Sequence, residues 1–538
     1  MMNVPLLISP MLERAERVFP KKEIVSCTPS GLHRETYAEM GVRARRLSNA
    51  LQKLGINNGD RVGTLAWNHY RHLEAYFAIP SMGAVLHTIN LRLSPEHLAY
   101  VINHAEDRIL LIDDNLLPLI EAIRDELTTV EAFIIMTDQS ELPETNLSPL
   151  YSYEELLSQG NPEFVYPKDL DENSPAGMCY TSATTGMPKG VLYTQRSIYL
   201  HSMISGLADT VGLSEGDTCL SVVPMFHVNA WGLPFAATWF GAKQVMPGPM
   251  MKADVIANLI QSEKVTVTGG VPTIWMSLLK ELETKSYDLS SLRMLLFGGA
   301  SAPPSMIRAF EEKHGIPVVH AYGMTETSPI VTVSHLKSYQ KDLPLEERLA
   351  IKAKQGVVSP GLEVRALGPD GKEIAWDGEE MGELLIRGPW IADGYYKGDR
   401  STDSFREGWF HTGDVVTIDT EGTIKIADRT KDLIKSGGEW ISSVDLENAI
   451  MAHEGVYEAA VVAMPHEKWQ ERPVACVVLK EGYREEITAE VILEFLRPSV
   501  AKWWLPDEVI FMDELPKSSV GKFLKRALRE QLKSRLSM

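Results

Sequence analysis

The stretch "VTVTGGVPTIWMSLLKELE", Val265 to Glu283, indicates the fold class of the chain. An apolar run is followed by two glycines and then by a segment with helical periodicity. The same order recurs in "RMLLFGGASAPPSMIRAFEEKHG" (293–315), and "PVVHAYGMTE" (317–326) begins with another apolar run. Strand, glycine turn, helix and strand is the pattern of a parallel sheet covered by helices. We therefore predict an α/β fold.

Helical and strand patterns also alternate nearer the N-terminus. "YAEMGVRARRLSNALQKLG" (37–55) predicts a helix that ends at a glycine, and "RVGTLAW" (61–67) predicts a short strand. Ser94 and Pro95 are typical of an N-cap and the first residue of a helix, and "RILLIDD" (108–114) predicts a buried strand.

The character of the sequence changes twice towards the C-terminus. Beyond about Gln355 short β-like runs separated by turns predominate, and beyond Asp432 strand and helix patterns are mixed in a compact unit. A polar stretch, 334–354, precedes the first change and predicts a loop with a helical piece.

The size and charge of the chain limit its class. A chain of 538 residues is too long for one core, so we expect a large domain and a smaller one. A net charge of -19 argues against a general nucleic-acid binder, whose surface would be basic. It does not exclude small anions, which local donors and helix N-termini can bind.

Cysteine usage and the N-terminal segment bear on location. Cys27, Cys179, Cys219 and Cys476 are scattered, which favours buried free thiols in a reducing cytoplasm over disulfides or a metal site. The first residues become amphipathic and charged too early for a signal peptide, and no apolar run reaches transmembrane length. We therefore expect a cytoplasmic protein with at most peripheral membrane contact.

The loop "YTSATTGMPKG", Tyr180 to Gly190, is rich in hydroxyl groups and glycine and carries one cation, Lys189. Many short donors and one mobile cation suit a polyphosphate. The loop lies between two apolar runs, which predicts a strand-to-strand or strand-to-helix connection. The chain contains no GxxxxGK[ST] sequence, so this is not a Walker A loop. An ordinary polar surface turn is the alternative.

The loop resembles the "YTSGTTGxPKG" signature of the adenylate-forming (acyl/aryl-CoA ligase, AMP-binding) superfamily. Four further motifs follow in that family's order: "YGMTE" (322–326), "WFHTGD" (409–414), "DRTKDLIKSGGEWIS" (428–442) and "LPKSSVGKFLKR" (515–526). Within the family the chain resembles the bacterial medium- and long-chain fatty acyl-CoA synthetases, along nearly its whole length. Ala183 is a departure, because the family usually has glycine there and a methyl group restricts a backbone that needs a positive φ.

The resemblance implies a fold and a reaction. The fold is α/β, with a large N-terminal domain, residues 1–430, of stacked α/β layers and a small β-barrel-like unit. A smaller, mobile α+β domain, residues 431–538, follows it, and the active site lies in the cleft between the two. The reaction is the ATP-dependent activation of a medium- or long-chain fatty acid to acyl-AMP with release of pyrophosphate, followed by thioester formation with CoA. The sequence leaves the oligomeric state open, a homodimer included.

Site residues follow from the resemblance, motif by motif. The catalytic residues are Lys522, Glu326, Thr181 and His227, and Mg²⁺ is bound by Thr181 and Glu326. The ATP and AMP contacts are Thr181, Ser182, Thr184, Thr185, Gly186, Lys189, Gly299, Ala300, Ala321, Tyr322, Gly323, Met324, Thr325, Asp414, Arg429, Lys431, Lys435 and Lys522. The acyl contacts are His227, Val228, Trp231, Gly298 and Gly299. The CoA contacts are Ser436, Gly437, Gly438, Glu439 and Trp440.

Each implied role in the nucleotide site has a structural alternative. Tyr322 would stack on adenine, Thr325 would donate to the α-phosphate and Glu326 would bind Mg²⁺, which prefers oxygen ligands. The alternative for these three is a capped helix start with a packed tyrosine. Asp414 would accept from both ribose hydroxyls, although a "TGD" sequence alone is more often a turn. Lys522 would bridge the substrate carboxylate and the α-phosphate, while the alternative is a solvated basic segment.

Three further positions concern the acyl group and domain movement. His227 and Trp231 would border the acyl pocket, with Trp231 as a gate, although such residues on an apolar face are usually core residues. Lys431 would be the pivot of the C-terminal domain, and a rigid connector or a nucleotide contact is the alternative.

Other functions stay open. A short-chain or methylthiopropionate-type acyl-CoA ligase is one, and delivery of the acyl group to an acceptor other than CoA is another. A nucleotide- or acyl-binding relative that has lost its chemistry is the third, but the presence of Glu326 and Lys522 favours the enzyme.

Overall fold

The computed structural model describes residues 1–181, 187–398, 404–437, 439–517 and 523–536. Their α-helices are Ser9–Val18, Tyr37–Lys53, Tyr70–Ser81, Pro95–Ala105, Leu117–Glu121, Tyr153–Gln159, Gln195–Ile204, Leu233–Phe240, Ala253–Glu263, Pro272–Thr284, Pro304–Arg308, Leu345–Ala353, Ser443–Met451, Ala489–Leu496 and Lys525–Leu536. Short 3₁₀ turns are Asp114–Leu116, Arg124–Glu126, Thr325–Thr327, Ser338–Gln340 and Lys502–Trp504, and Ala309–Lys313 is a π-turn.

The first sheet carries the hydroxyl-rich loop on its edge hairpin. Its strands are, in spatial order, Leu150–Ser152, Ala132–Met136, Asp107–Asp113, Arg61–Leu65, Val85–Thr88, Pro175–Tyr180 and Gly190–Thr194. Pairing is parallel up to Pro175–Tyr180, which then pairs antiparallel with Gly190–Thr194. The loop is therefore a strand-to-strand connection.

The second sheet contains the strands of the opening stretch. Its spatial order is Val357–Val358, Ile330–Val333, Val318–Gly323, Met294–Phe297, Val267–Gly270, Thr218–Ser221, Lys243–Met246, Glu23–Thr28 and Gly31–Thr36. The central strands are parallel, and antiparallel pairs lie at both edges. This confirms the predicted α/β class, with helices packed against both sheets.

Two smaller sheets follow. Glu363–Leu367, Gly382–Arg387, Trp409–Ile418 and Phe405–Arg406 form an antiparallel sheet, and Ile424–Arg429 pairs with Trp409–Ile418. The C-terminal unit contains Glu439–Ile441, Ile434–Ser436, Gln470–Leu479 and Val456–His466, with Glu508–Phe511 parallel to Gln470–Leu479. The mixed character predicted beyond Asp432 is confirmed.

The cap at Ser94 and the helical piece in the polar stretch 334–354 are both present as the sequence predicted. Ser94 is the N-cap of Pro95–Ala105, where its side chain accepts from the N–H of His97. The polar stretch 334–354 contains the helix Leu345–Ala353. The cysteines of the described chain are free and buried. In the described part of the chain no helix is long and apolar enough to cross a membrane.

Gly269 and Gly270 leave space for two tryptophan rings. A Cβ on Gly270 would lie 2.7 Å from Cζ2 of Trp275, whose indole N–H donates to the Gly270 carbonyl at 3.0 Å. A Cβ on Gly269 would lie 3.2 Å from Cζ3 of Trp231. The first contact is closer than packed carbon atoms come, so a side chain at Gly270 would displace a fully buried ring.

Candidate active site

Tyr322, Asp414 and Arg429 form a bonded group where the second large sheet meets the small antiparallel sheet. The Tyr322 hydroxyl donates to Oδ2 of Asp414 at 2.5 Å, and Nε of Arg429 lies 2.9 Å from Oδ1. Asp414 and Arg429 are directly opposite in the strand pair. Burial and then the Asp414 carboxylate raise the pKa of Tyr322, and Asp414 raises the pKa of Arg429. The group therefore holds a buried carboxylate between a hydroxyl donor and a guanidinium.

The segment after Tyr322 is held by close backbone packing. A Cβ on Gly323 would lie 1.8 Å from the Pro329 carbonyl oxygen, so this position requires glycine. The 3₁₀ turn Thr325–Thr327 follows, in which the Thr327 hydroxyl accepts from the N–H of Met324 at 3.0 Å. Thr325 and Glu326 are both buried.

The Glu326 carboxylate lies in a buried position at this turn. Burial raises its pKa, and a hydrogen bond from the Tyr395 hydroxyl to Oε1 at 2.8 Å opposes that effect. The same tyrosine ring lies beneath Nζ of Lys189, 4.6 Å from the ring centroid. Tyr395 thus connects the "YGMTE" carboxylate with the cation of the hydroxyl-rich loop.

The ends of that loop are tied to each other. The N–H of Thr181 donates to the Lys189 carbonyl at 2.9 Å, and the N–H of Lys189 donates to Oγ1 of Thr181 at 3.2 Å. The predicted phosphate contacts Ser182, Thr184, Thr185 and Gly186, together with Ala183, lie outside the described residues.

Trp231 lies at the end of an unusual turn. Val228, Asn229, Ala230 and Trp231 have φ angles of 47°, 52°, 50° and 59°, and Gly232 has 73°. A left-handed run costs roughly 1–2 kcal/mol per non-glycine residue, so packing must hold it. His227 and Trp231 have the sequence spacing of one right-handed helical turn, but the structure has a left-handed turn between them.

The ring of Trp231 covers two glycine positions on neighbouring strands. A Cβ on Gly298 would lie 2.8 Å from Cη2 of Trp231 and 3.2 Å from the Ala321 carbonyl. Gly269, on the next strand, faces the same ring. Trp231 therefore packs beside Ala321, one residue before Tyr322. Gly299 and Ala300 lie just beyond the carboxyl end of Met294–Phe297, where α/β sheets usually bind ligands.

The predicted CoA segment begins the C-terminal unit. Ser436 is buried and accepts from Nη1 of Arg472 at 3.2 Å, and Gly437 has a φ of 63° with its α-carbon against the Trp469 ring. Trp440 packs with an apolar cluster that includes Leu433. Gly438, the Glu439 side chain and Lys522 lie outside the described residues.

Comparison with known proteins identifies the family of the chain. The family model for "AMP-binding enzyme" matches residues 12–396, and that for "AMP-binding enzyme C-terminal domain" matches residues 445–522. The chain belongs to the AMP-binding enzyme family. It is an AMP-forming acid–CoA ligase that uses ATP and CoA.

Three proteins illustrate the similarity. A long-chain-fatty-acid–CoA ligase from Thermus thermophilus is 51% identical, covering 99% of this chain and 97% of that protein. A 3-methylmercaptopropionyl-CoA ligase from Ruegeria lacuscaerulensis is 46% identical over 100% of this chain and 99% of its own. The crystal structure of an anthranilate CoA ligase with anthranoyl-AMP has a TM-score of 0.88 and 26% identity, covering 100% and 99% of the two chains.

In this ligase Lys431 lies in a short connector between two bonded carboxylates. The side chain of Lys431 is exposed, and that of Lys435 is exposed as well. Before Lys431, Oδ2 of Asp428 accepts from the N–H of Ser443 at 2.8 Å. After it, Oδ1 of Asp432 pairs with Nη2 of Arg529 at 2.8 Å. Although Lys431 is exposed, neighbouring atoms displace part of its hydration, and this partial desolvation lowers its pKa.

Sequence reasoning missed two residues of the ligase. Tyr395 lies in "DGYYKG", which carries none of the five motifs, and only its contact with Glu326 reveals it. Lys525 lies in the "GKFLKR" part of the C-terminal motif, and the sequence assigned it no role. Its Nζ is buried 2.7 Å from Oε1 of Glu447, and Glu447 and Asp428 raise its pKa although burial acts the other way. Its contacts attach the C-terminal helix to Ser443–Met451.

Proposed function

We propose that the chain is a fatty acid–CoA ligase that forms an acyl-adenylate and then transfers the acyl group to CoA. The observation that carries this is the position of Ala321 and Tyr322. On one side, the Ala321 carbonyl adjoins the Trp231 ring over Gly298. On the other, Tyr322 binds Asp414. The apolar ring of Trp231 and a carboxylate suited to a diol thus lie near two consecutive residues of one strand, where an acyl-adenylate would need an apolar side chain and a ribose acceptor.

The nucleotide would lie along Tyr322 and Asp414. Asp414 is buried, accepts a hydrogen bond from the Tyr322 hydroxyl and pairs with Arg429, and a ribose diol can take the place of the tyrosine hydroxyl. Arg429 stays paired with the carboxylate at 2.9 Å. Thr325 and Lys189 would approach the phosphates.

The residues present fit Mg²⁺. Glu326 and Thr181 offer oxygen atoms, as this ion requires, and the described residues contain no group of three carboxylate, histidine or cysteine ligands. One carboxylate suits an ion that arrives with the phosphates and keeps its waters. The ion would neutralise charge on the pyrophosphate leaving group. Glu326 would place its carboxylate beside the pyrophosphate, and Lys522 would bridge the fatty-acid carboxylate and the α-phosphate.

The two domains would meet at Lys431, with 1–430 carrying the adenylate site and 431–538 moving between steps. "SGGEW", 436–440, would line the path of CoA in one orientation. The free buried cysteines favour a reducing cytoplasm. Assembly as a homodimer is a separate proposal, which light scattering of the purified chain tests.

The relatives favour a fatty or short thioether acid. We propose a medium- or long-chain fatty acid as the substrate, since a long-chain-fatty-acid ligase is 51% identical, and methylthiopropionate as the second candidate, since a 3-methylmercaptopropionyl-CoA ligase is 46% identical. The test is pyrophosphate release with acids from butyrate to palmitate and with methylthiopropionate, each with and without CoA.

The outcomes separate the candidate functions. A specificity constant that peaks at a medium or long chain supports the proposal, and a peak at methylthiopropionate supports the second candidate. Turnover that does not respond to CoA points to another acceptor. Absence of pyrophosphate release with every acid, alongside measurable ATP binding, would leave a binding protein.

A further inference from the structure

Tyr395 contacts two residues that are proposed to act on the nucleotide, Glu326 and Lys189. Its hydroxyl donates to Oε1 of Glu326 at 2.8 Å, and its ring face lies 4.6 Å from Nζ of Lys189. The edge of the ring packs against Phe405, with centroids 5.1 Å apart. One side chain therefore holds two charged groups of opposite sign by different interactions.

The backbone around Tyr395 is bonded to the same two segments. The N–H of Ala392 donates to the Glu326 carbonyl at 2.9 Å, and the N–H of Tyr396 donates to the Gly190 carbonyl at 2.8 Å. Gly190 follows Lys189 directly. The segment 392–396 thus joins the segments that carry Glu326 and Lys189, and its backbone bonds fix where the Tyr395 ring and hydroxyl lie.

This placement determines what Tyr395 can do. A carboxylate held at one oxygen by a fixed hydroxyl loses rotational freedom, and its second oxygen is presented in one direction. An ammonium over an aromatic face is held without being neutralised, because the ring supplies no proton acceptor. Lysine side chains otherwise sample many rotamers, which costs entropy when they must bind.

We propose that Tyr395 is a positioning residue for adenylate formation. Its hydroxyl orients the Glu326 carboxylate towards the metal-bearing phosphates of ATP, and its ring holds Lys189 at the phosphate loop. This rests on the proposed roles of Glu326 and Lys189. Tyr395 itself acts through those two groups and contacts no reacting atom.

The two actions are separated by two substitutions. Tyr395→Phe removes the hydroxyl and keeps the ring, and Tyr395→Leu removes both. Tyr396→Phe is the matched control, because the Tyr396 hydroxyl donates to a different carboxylate, that of Glu106, at 3.3 Å. ATP binding is measured by calorimetry without fatty acid, so that nothing turns over, once with Mg²⁺ and once with EDTA.

We expect Tyr395→Phe to reduce the gain in ATP affinity that Mg²⁺ provides by roughly tenfold, with affinity in EDTA unchanged. Tyr395→Leu should weaken binding in EDTA as well, by about threefold or more. Pyrophosphate exchange should slow in both variants, while thioester formation from supplied acyl-AMP should persist. The control should match the wild type throughout. An unchanged Mg²⁺ gain in Tyr395→Phe overturns the role of the hydroxyl, and unchanged or tighter ATP binding in EDTA by Tyr395→Leu overturns the role of the ring.

A double mutant separates positioning from general stability. If Tyr395 acts through Glu326, adding Tyr395→Phe to Glu326→Gln causes no further loss of the Mg²⁺ gain. Equal losses on both backgrounds, or a loss that follows the melting temperature alone, would mean a structural role. Should Glu326→Gln itself keep the full Mg²⁺ gain, the proposed metal site fails and the role of the hydroxyl with it. If Glu326→Gln reduces the gain in ATP affinity from Mg²⁺ but Tyr395→Phe does not, the proposed function stands and the inference about Tyr395 is rejected.

Discussion

The hydroxyl of Tyr322 donates to Oδ2 of Asp414 at 2.5 Å, across the junction of two sheets and 92 positions of sequence. The bond joins the residue expected to stack on adenine to the one expected to bind ribose. Since Asp414 also pairs with Arg429 at 2.9 Å, its carboxylate is fixed before any nucleotide arrives. A fixed acceptor of this kind should distinguish a sugar that has both ribose hydroxyls from one that lacks a hydroxyl.

Asp414→Asn should therefore reduce discrimination between ATP and 2′-deoxy-ATP. In the wild type, replacing ATP by 2′-deoxy-ATP removes a hydrogen bond to the buried Asp414 carboxylate. In Asp414→Asn the amide accepts only weakly from either substrate, so that replacement should cost less. We expect the KM for ATP to rise about tenfold or more and the ratio of the two specificity constants to fall. Asp419→Asn is the control, because Asp419 pairs with Lys354 at 2.7 Å outside the site. A ratio equal to that of the wild type would remove Asp414 from ribose recognition.

Substitutions at Trp231 should alter acyl preference. Trp231→Ala empties the space over Gly269 and Gly298, so longer acids should gain relative to shorter ones, by about tenfold in the ratio of specificity constants. Gly298→Ala places a methyl 2.8 Å from the ring and should impair all acids, and the double mutant should recover part of that loss. An unchanged profile with only a lower melting temperature would identify Trp231 as a core residue.

Glu35 should make the stability of the ligase depend on pH. It is 5% exposed, and Nε of Arg43 is 3.7 Å away, too far for a hydrogen bond. Burial raises the pKa of Glu35 to about 8 from its ordinary value of 4.5. Between these two pH values the folded state therefore holds a proton that the unfolded state has released. Stability from this group is present below that ordinary value and is lost as the pH rises towards 8, by at most about 1.4 kcal/mol per unit.

Glu35→Gln should remove that slope. The melting temperature of the variant should exceed that of the wild type increasingly from pH 5 to pH 8. Glu23→Gln, on the neighbouring strand and half-exposed, is the control and should keep the wild-type slope. Parallel melting profiles for Glu35→Gln and the wild type would show that Glu35 ionises normally in the folded chain.

The sequence predicted those features that depend on local chemistry. The cap at Ser94, the turn glycines and the alternation of strands and helices follow from neighbouring residues, whereas Glu326 and Asp414 were identified through resemblance to family motifs. Tyr395 could not be found in this way, because its role depends on contacts 69 and 206 positions away. The left-handed turn at 228–231 was also hidden, since valine and tryptophan disfavour a positive φ and tertiary packing overrides that preference.

Lys522→Ala should separate the two half-reactions. Lys522 lies outside the described residues, and its role rests on the motif "LPKSSVGKFLKR". Adenylate formation should fall by about 10² to 10³, as for loss of a group that acts on developing charge. Thioester formation from supplied acyl-AMP should be largely spared, because a C-terminal lysine enters the site in one domain orientation only. Equal losses in both half-reactions would contradict this.

Lys431→Pro should produce the opposite pattern. Lys431 is exposed in a connector between the Asp428–Ser443 bond, which crosses the proposed domain boundary, and the Asp432–Arg529 pair, which lies within the C-terminal unit. Rotation of that unit requires large changes of φ and ψ at a few residues, and proline fixes φ near -65°. Acyl-AMP formation should stay measurable while thioester formation falls by more than about tenfold.

The control for the hinge is Lys431→Ala, which removes the charge and leaves the backbone free. If Lys431 contributes only a nucleotide contact, both variants should raise the KM for ATP alike and spare the second step. If the connector is rigid, Lys431→Pro should lower the melting temperature and both rates together. Single-turnover rates for each half-reaction, measured beside melting curves of both variants, distinguish these cases, and a parallel fall of both rates in a folded Lys431→Pro enzyme would place the rotation at another residue.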